Sequence, residues 1–204
     1  MTPDEGGLAA ALQRLDEITR LLRRECPWDR EQDERSIVPH TVEEAYELAD
    51  AAESGDDGRM LDELGDVLFQ VYFLSLLLEE RGKGDLATVA EHCREKLIRR
   101  HPHVFGERSA ETAGDVVRNW NEIKREEEQG GDPFGHLPAT LPSTIYAKKV
   151  LRRAQSAGHD WSDMGDDPGD RLLAAVRAAV EAGVDPELSL RAAADKYRRN
   201  LERD

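Results

Sequence analysis

Aromatic residues, cysteines and long apolar segments are scarce in this chain of 204 residues. Aromatic side chains make up 5% of the sequence, so aliphatic side chains must supply most of the core. The two cysteines are too few for a disulfide framework, and we expect both to be reduced. No apolar run approaches the roughly 18–20 residues that a membrane-spanning helix needs, and no signal peptide is visible. The sequence therefore predicts a cytoplasmic protein with no membrane partner.

Positive charge is scarce as well. The chain has 28 Lys and Arg residues against 43 Asp and Glu residues, which gives a formal net charge of −15. A strongly acidic surface repels a phosphate backbone, so we expect no nucleic acid polymer as a partner. A small anionic substrate could still bind where metal ions bridge it to carboxylates.

Apolar residues recur at spacings of three and four along almost the whole chain, which is the period of an α-helix. We predict an all-α helical bundle with two antiparallel helix pairs around a carboxylate site, followed by C-terminal helices. The predicted helices cover about residues 7–24, 41–53, 61–81, 85–100, 113–129, 143–157, 169–182 and 186–202. Thr41 and Glu44 would form the capping box of the second helix. The predicted domains are a catalytic helical domain at 1–129, a linker at 130–142 and a C-terminal helical segment at 143–204.

Two pairs of acidic residues stand out on the second and third predicted helices. Glu44 and Glu47 are three residues apart, as are Glu63 and Asp66, so each pair shares one helix face. The midpoint between the pairs falls on Gly55, in the predicted turn, so the pairs should face each other in an antiparallel hairpin. Converging carboxylates need a positive charge between them, and oxygen ligands suit Mg²⁺ or Mn²⁺. An ordinary solvated acidic face has the same spacing and stays open as the alternative.

Basic residues follow at the end of the fourth predicted helix, at Lys96, Arg99 and Arg100. If the third and fourth helices are also antiparallel, this cluster lies level with the carboxylates and could neutralise phosphate groups. Cations at a helix C-terminus also complement the helix dipole, which is the simpler interpretation. Trp28 and Trp120 lie in or next to predicted loops and could stack on a base, although packing is the commoner use of a large aromatic side chain.

Several longer motifs occur in a recognisable order. They are Cys-Pro-Trp-Asp-Arg-Glu-Gln at 26–32, Glu-Glu-Ala-Tyr-Glu at 43–47, Glu-Leu-Gly-Asp at 63–66, Lys-Leu-Ile-Arg-Arg-His-Pro-His-Val-Phe at 96–105, Trp-Asn-Glu-Ile-Lys at 120–124 and Ala-Gly-His-Asp-Trp at 157–161. Together they resemble the MazG family over about residues 8–161. The resemblance implies an all-α, Mg²⁺-dependent nucleoside triphosphate pyrophosphohydrolase, typically a homodimer, which releases nucleoside monophosphate and pyrophosphate.

The same resemblance implies roles for individual residues. The metal motif of the family falls on Glu43, Glu44, Glu47, Glu63 and Asp66. The last four of these would hold the metal, with Mn²⁺ as a possible substitute for Mg²⁺. Glu43 would be a further ligand or would orient the attacking water. The basic helix end of the family falls on Lys96, Arg99 and Arg100, which would contact the substrate. We also predict substrate contacts for Trp28, Trp120 and Lys124.

Longer members of the family resemble two tandem copies of the catalytic module. Here residues 169–202 resemble the tail of a second copy, in keeping with a similarity at an offset of 100 residues between 85–99 and 185–199. The acidic helices of that copy are missing, because residues 143–166 contain no Glu. The resemblance implies a pyrophosphohydrolase with a role in nucleotide-pool housecleaning. The alternatives are a catalytically weak nucleotide-binding or sensing protein and a helical oligomerisation module.

Overall fold

The computed structural model describes residues 5–127, 136–159 and 165–202, and these residues form helices and no strand. The helices are α1 (Glu5–Glu25), α2 (Pro27–Glu31), α3 (Glu34–Ser54), α4 (Asp57–Glu80), α5 (Leu86–Arg100), α6 (Pro102–Phe105), α7 (Ala113–Glu127), α8 (Ser143–Ser156), α9 (Pro168–Glu181) and α10 (Pro186–Leu201). The predicted all-α fold class is confirmed. Within the described ranges, no helix is long and apolar enough to cross a bilayer.

The chain divides into two compact units, Met1–Arg99 and Arg100–Asp204. The domain boundaries that the sequence suggests, at 129 and 142, stay a prediction. Residues 130–135 of the predicted linker lie outside the described residues, as do residues 160–161 of the Ala-Gly-His-Asp-Trp motif.

In the first unit, α3 and α4 form the predicted antiparallel hairpin around Gly55. Gly55 has φ +70°, a left-handed conformation that glycine adopts without a steric cost. Next to the turn, the Arg59 guanidinium lies 3.0 Å from the Asp50 carboxylate. Further along, the Thr41 hydroxyl donates a hydrogen bond of 3.3 Å to the Gln70 amide oxygen. Because both pairs are nearly equidistant from Gly55, the two helices stay in one register along this length.

The start of α3 differs from the sequence prediction. Asp33 caps the helix, since its carboxylate accepts from the backbone N–H groups of Arg35 and Ser36 at 2.8 Å, and the Ser36 hydroxyl accepts from the Asp33 N–H at 2.9 Å. The predicted capping box at Thr41 is wrong, because Thr41 lies inside α3. The sequence analysis missed this start because Pro39 lies inside α3, and a proline normally marks a helix boundary.

The core of this unit lies where the first half of α3 packs on the second half of α4. Its buried members are Ile37, Phe73 and Leu77, with Phe69 and Leu74 packed against them. The apolar residues in the first half of α4 are not part of this core, since Leu61, Leu64 and Leu68 are 73%, 45% and 38% exposed. The apolar stripe beside the carboxylates is therefore left open in the single chain.

Helix α1 lies parallel to α4 on another side. The Tyr72 hydroxyl donates to the Leu12 carbonyl at 3.3 Å, and the Arg20 guanidinium binds the Glu79 carboxylate through two hydrogen bonds of 3.0 and 2.6 Å. Residues later in α1 therefore pair with residues later in α4. A bidentate arginine–carboxylate pair is geometrically specific, so it fixes the register of the two helices.

Helix α5 does not form the second antiparallel pair that the sequence analysis expected. None of its residues is buried, and along its described length it is not packed side by side with α4. The connecting turn contains Gly82 and Gly84, both at positive φ, which glycine adopts without a steric cost. Lys96 and Arg99 on α5 are therefore not brought level with the carboxylates by an α4–α5 hairpin.

In the second unit, polar contacts tie α8 to the start of α10. Asp185 caps α10 by accepting from the backbone N–H groups of Glu187 and Leu188, and its carboxylate also lies 2.5 Å from the Lys148 ammonium group of α8. The Thr144 hydroxyl donates to the Glu187 carboxylate. The three C-terminal helices begin and end within about one residue of their predicted positions.

Candidate active site

Three carboxylates converge on the α3–α4 hairpin. Glu44 of α3 and Glu63 and Asp66 of α4 each present an oxygen that lies within 4.8 Å of the others. Glu44 and Glu63 are half-buried, and Asp66 is exposed. The three-residue spacing places Glu63 and Asp66 on one face of α4, and the turn at Gly55 brings Glu44 opposite them. This is the arrangement that the two acidic motifs predict.

Burial and mutual repulsion raise the pKa of two of these carboxylates, Glu44 and Glu63. Partial desolvation raises the pKa of Glu44, and the charges of Asp66 and Glu47 raise it further. Desolvation also raises the pKa of Glu63, with added contributions from Glu47 and Asp66, while Arg59 acts in the opposite direction. The negative charge of the cluster is therefore incompletely compensated by the chain itself, and a bound cation would relieve the repulsion.

The other two predicted carboxylates lie beside the cluster. Glu47 is exposed and does not belong to the 4.8 Å group found among the described residues, but its charge acts on both Glu44 and Glu63. The Glu43 carboxylate lies 3.7 Å from Nδ1 of His40. Of the five predicted acidic residues, the hairpin thus brings three into direct proximity and keeps two at the edge.

Trp28 of α2 reaches the same helix as the acidic motif. Its side chain is 51% exposed, and its ring meets the His40 ring edge-on with centroids 5.8 Å apart. His40 was not among the predicted site residues. His40 lies three residues before Glu43 and four residues before Glu44 on α3. With a helix that starts at Glu34, this spacing alone would have placed His40 beside the acidic motif.

In the second unit, Arg100 and Trp120 lie together with Glu127. The Arg100 guanidinium donates to Glu127 Oε2 at 3.0 and 2.5 Å and lies over the Trp120 ring, 5.3 Å from its centroid. Lys124 is half-buried on the same helix, one turn after Trp120. Sequence reasoning missed Glu127 because 27 residues separate it from Arg100 and no motif connects them.

The donor set of the hairpin fits a metal ion. Glu44, Glu63 and Asp66 offer only carboxylate oxygens, and hard divalent cations prefer oxygen ligands. Desolvation, and after it the charges of neighbouring carboxylates, raises the pKa of Glu44 and of Glu63, and a metal ion would bring the positive charge that offsets both effects. These residues could therefore hold a divalent cation.

Comparison with known proteins identifies the family. The family model of the MazG nucleotide pyrophosphohydrolase domain matches residues 32–105 of this sequence. This range contains α3, α4, α5 and all five predicted carboxylates. The chain is also 31% identical to a "Nucleoside triphosphate pyrophosphohydrolase" of Escherichia coli (strain K12), over 93% of this chain and 86% of that protein. The chain belongs to the MazG family. The resemblance that the sequence motifs predict is confirmed.

Two further relatives extend the match across most of the chain. A "Nucleoside triphosphate pyrophosphohydrolase/pyrophosphatase MazG" of Thermotoga maritima is 33% identical over 84% of this chain and 76% of its own length. An "Uncharacterized 26.1 kDa protein in blaB 3'region" of Streptomyces cacaoi is 40% identical over 93% of this chain and 80% of its own. Similarity to MazG proteins thus reaches beyond the matched domain and includes residues of both compact units.

Proposed function

We propose that this chain hydrolyses nucleoside triphosphates between the α- and β-phosphates, with Mg²⁺ as cofactor, to give nucleoside monophosphate and pyrophosphate. The observation that carries the proposal is the cluster of Glu44, Glu63 and Asp66 across the α3–α4 hairpin of a MazG family member. Relatives from Escherichia coli and Thermotoga maritima are named for this activity. A housecleaning role against damaged nucleotides is the biological setting that we propose for it.

Glu44, Glu63 and Asp66 would hold the metal, with Glu47 completing the set from the edge of the cluster. A divalent cation bound there would supply charge neutralisation and polarisation of the phosphate oxygens. Mg²⁺ suits the all-oxygen donor set, and Mn²⁺ is the expected substitute because it accepts the same ligands.

The remaining residues act on water, phosphate and nucleoside. Glu43 orients the attacking water and accepts its proton, as the water oxygen bonds to the α-phosphorus and the bond from that phosphorus to the leaving pyrophosphate breaks. Basic side chains neutralise the phosphates and the leaving group. We propose Lys96, Arg99 and Arg100 for the phosphates, and Trp28, Trp120 and Lys124 for other contacts with the nucleotide.

The first experiment is a substrate panel of standard and damaged nucleoside triphosphates in both sugar forms, with Mg²⁺ and with a chelator. We expect equal amounts of pyrophosphate and nucleoside monophosphate, released only when Mg²⁺ is present. Release of orthophosphate would place the attack at the γ-phosphorus and contradict the proposal. Nucleotide binding without any release would favour the sensing protein instead. The fastest substrate would identify the base and sugar preference.

The raised pKa values of Glu44 and Glu63 predict a pH-dependent effect of Mg²⁺ on stability. Both groups hold their protons more tightly in the folded chain, so the stability that they contribute is present below the ordinary glutamate pKa. It is lost as the pH rises through their raised values. A cation that binds the ionised carboxylates offsets this loss. At about 100 times its Kd, we expect Mg²⁺ to raise the melting temperature by about 5–10 °C near pH 7.5.

The same addition should raise the melting temperature by much less near about pH 5, where protons compete for the carboxylates. Thermal unfolding followed by circular dichroism, with Mg²⁺ and with EDTA at both pH values, measures the difference. An equal shift at the two pH values would show that Mg²⁺ acts elsewhere on the chain.

We also propose that the chain forms a homodimer through the open apolar stripe of α4. Leu61, Leu64, Leu68 and Val71 follow one another at spacings of three and four, and each is more than a third exposed. Such a contiguous exposed stripe is typical of an interaction surface. Replacing both Leu64 and Leu68 by Glu should convert the dimer to a monomer, because it places two charges in the apolar contact.

Sedimentation velocity measures this change in mass. The matched control is Val117→Glu, which introduces a charge at a residue of the second unit that is 58% exposed. The control should sediment as the unchanged chain does. A wild-type chain that is monomeric, or a double variant that still dimerises, would contradict the proposed interface.

A further inference from the structure

Four arginines line an open pocket of the first unit, where α1 and α2 meet the end of α4. The pocket has a volume of about 500 Å³, which is within the usual range of small-molecule sites. Its lining residues are Arg20, Arg23, Arg24, Arg30, Leu76 and Glu80. In a chain with a formal net charge of −15, this concentration of positive charge stands out. We call it the arginine pocket.

Arg23 fixes the geometry of the arginine pocket. Its Nε and Nη2 groups donate to the Glu80 carboxylate at 2.8 and 2.9 Å. Its Nη1 group donates to two backbone carbonyls at the end of α2, those of Asp29 and Gln32, at 2.5 and 3.0 Å. These contacts orient the guanidinium group and hold α2, which carries Arg30, against α1.

The two arginines that are held in place keep unused hydrogen-bond donors. A guanidinium group carries five N–H groups. Arg20 uses three of them, one for Asp16 and two for Glu79. Arg23 uses four of them. Both residues can therefore still donate to an anion in the pocket.

Arg24 and Arg30 are held less firmly. Arg24 pairs with Glu25, its neighbour in the sequence, and both side chains are 66% exposed. An ion pair between two exposed side chains contributes little to stability. In the part of the chain that the structure describes, no side-chain hydrogen bond or ion pair involves Arg30. Both guanidinium groups are therefore able to turn toward a ligand.

The composition of the lining indicates the chemistry of that ligand. Glu80 is the one acidic residue that lines the pocket, and Arg23 already pairs with it, so the lining has an excess of positive charge. The planar fork of a guanidinium group matches the oxygens of a phosphate group and binds them in a bidentate manner. Several such forks around one pocket suit an anion that carries more than one phosphate group.

The arginine pocket is separate from the carboxylate cluster. Both lie along α4, where Leu76 comes ten residues after Asp66 and Glu80 lies further on. At a rise of about 1.5 Å per residue, about 15 Å or more of helix separates them. A phosphate group held at the carboxylates would therefore not occupy the arginine pocket.

We propose that the arginine pocket is a second anion site, which binds a soluble anion with at least two linked phosphate groups. Arg20 and Arg23 offer donors that are already in place, and Arg24 and Arg30 add contacts when the anion is bound. Inorganic pyrophosphate and nucleotides share this chemistry. The site needs no metal ion at the carboxylates, so the inference does not rest on the proposed activity.

Isothermal titration calorimetry of the full chain with inorganic pyrophosphate, in EDTA and at low salt, tests the proposal. EDTA removes the divalent cations through which the carboxylates would bind phosphate. We expect a variant with both Arg24→Gln and Arg30→Gln to bind pyrophosphate at least about tenfold more weakly, because it loses charge-assisted hydrogen bonds. Both side chains are exposed, so its melting temperature should equal that of the wild type.

Arg14→Gln is the matched control, because Arg14 is an exposed arginine of α1 that does not line the pocket. Its Kd for pyrophosphate should equal that of the wild type. An equal loss in this control would show that only the overall charge of the chain matters. Unchanged binding in the variant of Arg24 and Arg30 would show that pyrophosphate binds elsewhere. Either result would overturn the proposal.

Titrations with ATP and with orthophosphate, also in EDTA, distinguish the sources of the anion. A Kd for ATP equal to that for pyrophosphate would show that the phosphate groups alone are recognised, whereas tighter binding of ATP would identify a nucleotide as the ligand. Orthophosphate should bind at least about tenfold more weakly than pyrophosphate, because it offers a single phosphate group. Equally tight binding of orthophosphate, or a wild type that binds neither pyrophosphate nor ATP, would overturn the proposal whatever the activity assay shows.

Discussion

Replacing Asp66 by Asn should lower kcat/KM for pyrophosphate release by at least about 100-fold. The substitution keeps the size of the side chain but removes the charge that a cation in the cluster would bind. A carboxylate oxygen of Asp66 lies within 4.8 Å of oxygens of Glu44 and Glu63. The substitution therefore removes negative charge from the group of oxygens that would surround the metal. Because Asp66 is exposed, the folded structure should tolerate the change.

The measurement compares the initial rates of pyrophosphate release of the variant and the wild type at matched Mg²⁺ concentrations. Glu53→Gln is the control, since Glu53 is an exposed carboxylate near the end of α3 and is not a member of the cluster. Its rate should stay within about twofold of the wild type, because surface substitutions of this kind are close to neutral. If activity survives in a variant that carries both Glu47→Gln and Asp66→Asn, the assigned carboxylates are not the metal ligands.

Replacing Phe73 by Ala should lower the free energy of unfolding by about 3–5 kcal/mol. Phe73 is fully buried between Ile37 and Leu77, and its ring lies 5.9 Å from that of Phe69. The substitution removes the largest side chain of this core and leaves a cavity. Since single domains have only about 5–15 kcal/mol of stability, this is a large fraction of the total.

Urea denaturation followed by circular dichroism measures the loss. The matched control is Phe105→Ala, because Phe105 is 61% exposed on α6, and its substitution should cost less than about 1 kcal/mol. Equal losses in the two variants would show that the core does not lie between α3 and α4. The carboxylate cluster depends on the same hairpin, so a partially unfolded Phe73→Ala chain should lose activity in proportion to its unfolded fraction.

The acidic motifs could be placed from the sequence because helix geometry and a short turn leave little freedom. Glu63 and Asp66 share a face through their spacing alone, and the position of Gly55 brings Glu44 opposite them. The motif order also pointed to the MazG family, which the comparisons confirm. The placement of the acidic residues rests on local rules, which hold as long as the helices are continuous and the turn is tight, whereas the family inference rests on the motifs themselves.

The remaining differences have both local causes and causes that lie in contacts between residues distant in the sequence. Asp33, and not Thr41, caps α3, and the helix continues through Pro39 although proline normally marks a helix boundary. The pairing of Arg100 with Glu127 joins two segments that no spacing rule connects. Side-by-side packing is absent between α4 and the described length of α5, and the residue types of the connecting turn, with Gly82 and Gly84, did not determine this.

The sequence by itself determined the longer helices apart from the start of α3, the antiparallel acidic hairpin and the family, since periodicity, spacing and motifs can be read along the chain. The tertiary structure decided which apolar residues are buried. It buried Phe73 and Leu77 and left Leu61, Leu64 and Leu68 exposed, although all five belong to one amphipathic helix. Burial depends on which surfaces meet in space, and a periodic pattern specifies an apolar face without specifying what covers it.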